Sequence, residues 1–208
     1  MQLLFPNDPL VSVPFNVGQG PNEAGPRLGG RPPANVLPRT SNEFICYFLT
    51  IPLSVEPSQE VSVFTSSNFD RLLKACGNLN EEGLVQVVVH SSSRRGKSLE
   101  LSSSLSEHPL LLLEPREDWL MSDEGERIVA SFHKLGGRPY FIQGKLGLEA
   151  AVRRLMAAGF AQVLQMGFPA VRGDTGEVEG DWPFGDGMFH LFGMAPFGPG
   201  DWRWFWER

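Results

Sequence analysis

Chemistry needs a residue able to move a proton, attack an electrophile or hold a metal, and this chain of 208 residues offers few. Its four histidines and two cysteines are scattered, and none forms a Cys-x-x-Cys or His-x-x-x-His pair of the kind that grips zinc. There is no Gly-x-Ser-x-Gly elbow for a serine nucleophile and no Gly-x-x-x-x-Gly-Lys-Ser/Thr phosphate loop. His133, beside Lys134, and His190, inside an apolar run, are the best single candidates for proton transfer, with Arg138 in the turn that follows the first. Acidic stretches are the stronger signal. Glu114 to Glu126 holds six acids and one base in thirteen residues, and Asp174 to Asp186 holds five acids and no base. The second stretch lacks the Asp-x-Asp-x-Asp-Gly and terminal Glu spacing of an EF-hand, so calcium is not indicated. Carboxylates around a large aromatic are, however, the composition that anchors a basic protein partner. The residues expected to do so are Glu117, Asp118, Trp119, Asp123 and Glu124, and Asp174, Glu177, Glu179, Asp181, Trp182 and Asp186. No catalytic residue, metal or cofactor is expected.

These groups must be positioned by strands and short helices. Leu28-Gly29-Gly30-Arg31-Pro32 recurs 107 residues later as Leu135-Gly136-Gly137-Arg138-Pro139, and in each half an apolar strand ending at proline follows, 44–52 and 160–169. The order suggests two copies of one unit, residues 1–105 and 106–208, within a single domain. Two glycines permit a backbone closed to other residues and proline fixes the exit, so the repeated turn is expected to be structural. Residues 61–65 and 84–90 read as strands by their β-branched content, and 108–113 as a strand crossing between the halves. Phe69, Leu72, Leu73 and Cys76 share one helical face, with Ser67 as the expected cap. Leu148, Ala151, Val152, Leu155 and Met156 share another, with Arg153 and Arg154 opposite. Trp202, Trp204 and Trp206 fall on one face of a last strand, where large apolar area covers a sheet. Residues 1–41, with eight prolines and five glycines, read as an extended arm, and 91–98 as a solvated hairpin tip. The fold class is therefore α+β, mainly antiparallel sheet with a few helices.

Composition sets the remaining bounds. Hydrophobic residues at 41% and charged ones at 20% describe a folded chain. There is no signal-like start and no apolar run of 18, so neither a leader nor a membrane span is expected, and cytosol with reduced thiols is the natural setting. Residues 1–105 carry nine acids against eight bases and residues 106–208 fifteen against ten, a net of -1 against -5. Such a surface repels phosphate backbones, so direct nucleic-acid binding is disfavoured and a basic protein partner favoured.

His133-Lys134-Leu135-Gly136-Gly137-Arg138-Pro139-Tyr140, then Phe160 to Met166, then Phe184-Gly185-Asp186-Gly187-Met188-Phe189-His190-Leu191-Phe192, and last the tryptophan-rich strand, resemble the YwqG-like family of bacterial proteins. The likeness covers roughly residues 131–206. It implies a mixed, mainly antiparallel fold with no catalytic residues to transfer. It also implies, from members encoded beside secreted toxins, an immunity protein. A more distant likeness runs to the programmed-cell-death-two family, which escorts a basic ribosomal protein, but the zinc-binding cysteine pairs of those relatives are missing here. The expected function is thus non-catalytic neutralisation of a cognate antibacterial toxin, a basic protein such as a DNase, by direct binding in the cytoplasm. The alternatives are an enzyme or small-ligand binder with a cleft between the halves, built on His133, Arg138 and His190, and an escort for a basic cytosolic protein.

Overall fold

The computed structural model describes residues 2–3, 10–20, 23–36, 45–56, 58–80, 83–97, 101–118, 133–141, 146–167, 178, 180, 182–184 and 187–208. Along the chain these form β1 (Gln2–Leu3), β2 (Val11–Val17), β3 (Arg27–Leu28), β4 (Ile45–Glu56), β5 (Gln59–Ser66), α1 (Phe69–Ala75) and β6 (Val85–Ser91). Then come β7 (His108–Leu112), β8 (Arg116–Glu117), β9 (Lys134–Gly136), α2 (Leu146–Ala157), β10 (Ala161–Met166), β11 (Met188–Gly193) and β12 (Trp202–Glu207). The molecule is mostly antiparallel sheet, with two helices among the described residues.

Strand order is β12-β11-β10-β9-β2-β7-β3-β4-β5-β6, with β1 added beside β4 and β8 beside β2. This order reads alike from either end once β3 to β6 are matched with β9 to β12 and β2 with β7. The two middle strands are exchanged. β2, early in the chain, pairs with β9 of the later half, and β7, from the later half, pairs with β3 of the earlier one. They meet each other at Phe15↔Leu112, Asn16↔Leu111 and Val17↔Leu110, a ladder centred on Asn16 and Leu111. Backbone bonds match across that centre. Phe15 N–H donates to His133 C=O at 3.2 Å and Leu110 N–H to Pro26 C=O at 3.0 Å. Gly18 N–H donates to Pro109 C=O, and Leu113 N–H to Pro14 C=O, both at 2.8 Å. Proline has no N–H to return either of those last two bonds, so Pro14 and Pro109 close the ladder at its two ends. Both halves also carry a bulge at one place, between Tyr47 and Leu49 of β4 and between Gln162 and Leu164 of β10.

The expectation that residues 1–41 form an arm is corrected: β2 lies in the middle of the sheet. Val13 and Phe15 are buried on the core face, Ser12 and Pro14 between neighbouring strands are buried too, and exposure begins at Asn16. The cap of α1 is also corrected, because Asn68 rather than Ser67 accepts the Arg71 N–H, at 3.2 Å. Within the described part of the stretch 91–98, residues 91–97, the chain is no free tip; Arg95 bridges to Pro33 and Gly96 N–H donates to Pro32 C=O at 2.7 Å.

One large core lies on the shared inner face. Phe48, Leu49, Ile51, Val61 and Val63 of one half meet Val163, Leu164, Phe189 and Leu191 of the other, with Trp202, Trp204 and Trp206 on this side as the strand period requires. The Trp206 indole donates to Leu72 C=O at 2.8 Å, fastening α1 to β12. Outer faces are covered separately. Leu148 and Val152 of α2 lie over Phe192 and Phe205, while Val36 packs with Ile45, Tyr47 and Phe64.

Candidate functional site

The repeated turn positions the charged groups. Gly29 and Gly30 have φ of 66° and 70°, and Gly136 and Gly137 of 70° and 76°, so both turns run through the left-handed region that glycine enters without strain. A carboxylate sits over the second glycine of each. A Cβ on Gly30 would collide with Glu107, and one on Gly137 with Asp118. Asp118 is fully engaged: it accepts two bonds from Lys134 Nζ at 2.7 and 2.8 Å, one from Arg138 N–H at 2.6 Å and one from Ser12 Oγ at 3.1 Å. Glu107 takes the Arg95 guanidinium at 3.0 Å.

The residue before each Leu-Gly-Gly is a buried base, Lys134 in one turn and Arg27 in the other. They differ in their partners. Lys134 has Asp118, although burial still pulls its ammonium pKa below the ordinary lysine value. Arg27 is completely buried, donates through Nη1 to Gly25 C=O at 3.0 Å, and has no hydrogen-bond partner at Nε or Nη2.

From Arg27 a polar row crosses the outer face of β3 to β6. Arg27 stands opposite Thr50, and Thr50 opposite Ser62. The Tyr47 hydroxyl donates to Thr50 Oγ1 at 2.7 Å; Thr50 and Ser62 hydroxyls are 2.8 Å apart; Ser62 Oγ is 2.8 Å from His90 Nε2; His90 Nδ1 is 2.9 Å from Ser91 C=O. Only one direction satisfies every member. A carbonyl can only accept, so Nδ1 carries the proton, Nε2 accepts from Ser62, and Ser62 accepts from Thr50. Burial lowers the His90 pKa, which fits that neutral ring, and raises that of Tyr47. Beyond His90, Glu60 lies 3.9 Å from Nδ1 and accepts from Ser92 at 2.9 Å through Oε1, while its Oε2 has no hydrogen-bond partner. Ser62 and His90 have the spacing of a nucleophile and its base. Ser62, however, is fully buried and its hydroxyl is also bonded to Thr50, so it is not presented as a nucleophile in this arrangement.

The second half places polar groups at the matching positions. Gln162 donates to Gln165 at 3.1 Å, and His190 Nε2 lies 3.2 Å from Glu207, both fully buried. The imidazole stacks on Phe205 at 4.4 Å and on Phe141 at 5.9 Å. His133 is elsewhere, stacked on Phe15 at 5.5 Å, with its pKa pushed down to about 4 by burial, and Arg138 is exposed. The structure therefore does not bring His133, Arg138 and His190 into one cleft; their packing partners differ.

Of the residues expected to hold a partner, Glu117 is exposed on β8 beside exposed Glu114. Asp118 is corrected: it is buried in its bonds to Lys134 and the turn, not offered to solvent. Trp182 is corrected likewise, because its ring packs edge-on against Phe48 at 5.3 Å in the core. Trp119, Asp123, Glu124, Asp174, Glu177, Glu179, Asp181 and Asp186 lie outside the described residues. Among the described residues the large apolar side chains left exposed are Leu10, Leu111 and Leu113, beside or on the two middle strands. No cluster of His, Cys, Asp or Glu suited to a metal is found among them, and no helix is long and apolar enough to cross a membrane.

Arg27, Thr50 and Ser62 were not singled out by sequence. The available signal was the base directly before each Leu-Gly-Gly; hydroxyls inside β-rich runs carry none. Compared with known proteins, the chain matches no family model, no curated protein and no solved structure.

Proposed function

We propose that the chain works by binding a basic protein partner, as a YwqG-like immunity protein that neutralises a cognate toxin in the cytoplasm without catalysis of its own. The observation that supports this reading is the uncovered middle of the sheet. Leu111 is 51% exposed and Leu113 41%, and Glu114 and Glu117 stand exposed directly after them. An apolar centre beside two exposed acids, with the single base Arg116 between them, suits a partner whose own surface is basic: the leucines supply desolvated contact and the carboxylates steer approach. A nuclease, basic because it holds phosphate, is the class of toxin that fits. The same proposal takes the two halves as copies of one ancestral unit, on the strength of the matched strand order, the matched bulges and the repeated turn.

The test is binding of the protein encoded beside this chain, measured by calorimetry at two salt concentrations. Leu111→Glu is expected to weaken affinity by about 30-fold or more, the scale of a central contact. Charge reversal at Glu114 and Glu117 is expected to slow association and flatten its salt dependence. Tight binding untouched by all three changes would remove this surface from the interface; no binding at all would remove the function.

A further inference from the structure

Arg27 raises a question that partner binding does not answer. A guanidinium wholly withdrawn from water costs several kcal/mol unless its charge and donors are matched, roughly the penalty for any buried ion. Lys134, at the matching place, has Asp118. Glu107, over the matching glycine, is instead taken by Arg95. Among the described residues Arg27 has no carboxylate within ion-pair distance. The two donors left over are also a particular pair. Nε and Nη2 form one edge of the planar fork, with parallel N–H bonds, the arrangement that receives both oxygens of one oxyanion.

We propose that the Arg27 fork, closed in by Tyr47, Thr50 and Ser62, is a binding site for a small hydroxy carboxylate, with Glu60 receiving its hydroxyl. The charge nearby selects the class. Glu60 and Glu107 act on the same Tyr47 hydroxyl as Arg27, and Arg95 offsets Glu107, so the neighbourhood carries no excess positive charge and repels a dianionic phosphate more strongly than a monoanion. Glu60 selects the hydroxyl, because its Oε2 is a buried acceptor lacking a donor on the face where Arg27 lacks acceptors. The row reaches water at its far end, where Ser92 is exposed, and this is the end from which a molecule of a few heavy atoms would enter.

Nitrogen-resolved NMR of the full chain reads the Arg27 Nε–H directly, assigned through the bonded network of the wild type and confirmed by its loss in Arg27→Lys. Titration with glycolate is expected to shift this resonance saturably. Acetate, lacking the hydroxyl, is expected to bind about tenfold more weakly, the worth of one hydrogen bond to a charged group. Inorganic phosphate is expected to leave the resonance in place. In Glu60→Gln the preference for glycolate over acetate is expected to fall below about threefold, half that hydrogen bond in free energy. A resonance unmoved by all three probes in folded protein overturns the site. Phosphate saturating it as readily as glycolate overturns the ligand class, and an unchanged preference in Glu60→Gln overturns the role of Glu60.

Discussion

His133 shows how one side chain sets a pH dependence. Its ring lies on Phe15 with Nδ1 buried and without a hydrogen-bond partner, so the fold favours the neutral form and the pKa falls to about 4. The unfolded chain takes up that proton near the ordinary value of 6.5. Stability from this group is therefore complete above pH 6.5 and lost as pH falls toward 4, on the order of 3 kcal/mol in all. His90 and His190 are shifted in the same direction by burial, so they add to the slope. In His133→Phe, urea midpoints measured at pH 7 and pH 4.5 are expected to lie closer together than in the wild type. Equal spacing would assign the acid sensitivity to other groups. The Lys134–Asp118 pair gives a second case. Asp118→Ala strands a buried ammonium and is expected to cost about 3–5 kcal/mol, with part recovered by adding Lys134→Met. A loss below about 1 kcal/mol would show that Lys134 reaches water once released. Sequence identified His133 and Lys134 as neighbours but not their surroundings, because burial comes from strands far away in the chain.

At the scale of elements, the double-glycine turns carry the argument. Both glycines in each copy have positive φ, and the second lies under a carboxylate. Gly30→Ala and Gly137→Ala should each cost about 2 kcal/mol or more, about 1–2 for the left-handed backbone and the rest for displacing Glu107 or Asp118. Thermal denaturation of the two variants tests this. A loss in one but not the other would mean that only one turn is rigid. These turns were legible as repeated structural devices because their residue types state their backbone. β2 was not, since Pro14 and the surrounding glycines look like loop while Val11, Val13, Phe15 and Val17 keep the alternation of a strand. Proline is tolerated there because its nitrogen faces the end of a ladder, which composition cannot reveal. Helix α2 was legible because its apolar spacing and its opposed Arg153 and Arg154 both repeat within the element. Asp118 and Trp182 were misread because an acidic or aromatic residue in a polar stretch looks alike whether it faces water or the core.

For the whole molecule, the exchanged strands matter most. β2 completes the sheet of the later half and β7 that of the earlier, so a chain cut between residues 105 and 106 leaves each piece without its neighbour strand. Residues 1–105 alone are expected to show no cooperative thermal transition, and mixing with 106–208 is expected to restore one. Independent folding of either piece would mean that the central pairings are dispensable. Pro14 and Pro109 add a further property to this seam. A strand pair of three rungs would by itself slide readily, since neighbouring registers differ by few bonds. Here the slide that brings Pro14 opposite Leu111 and Pro109 opposite Asn16 carries both prolines into rungs that require an N–H, so that misaligned form loses bonds at once. The opposite slide moves both prolines outward, so the two residues act as a stop in one direction only. They exclude one set of wrong alignments during folding, although the ladder they bound contributes few bonds of its own.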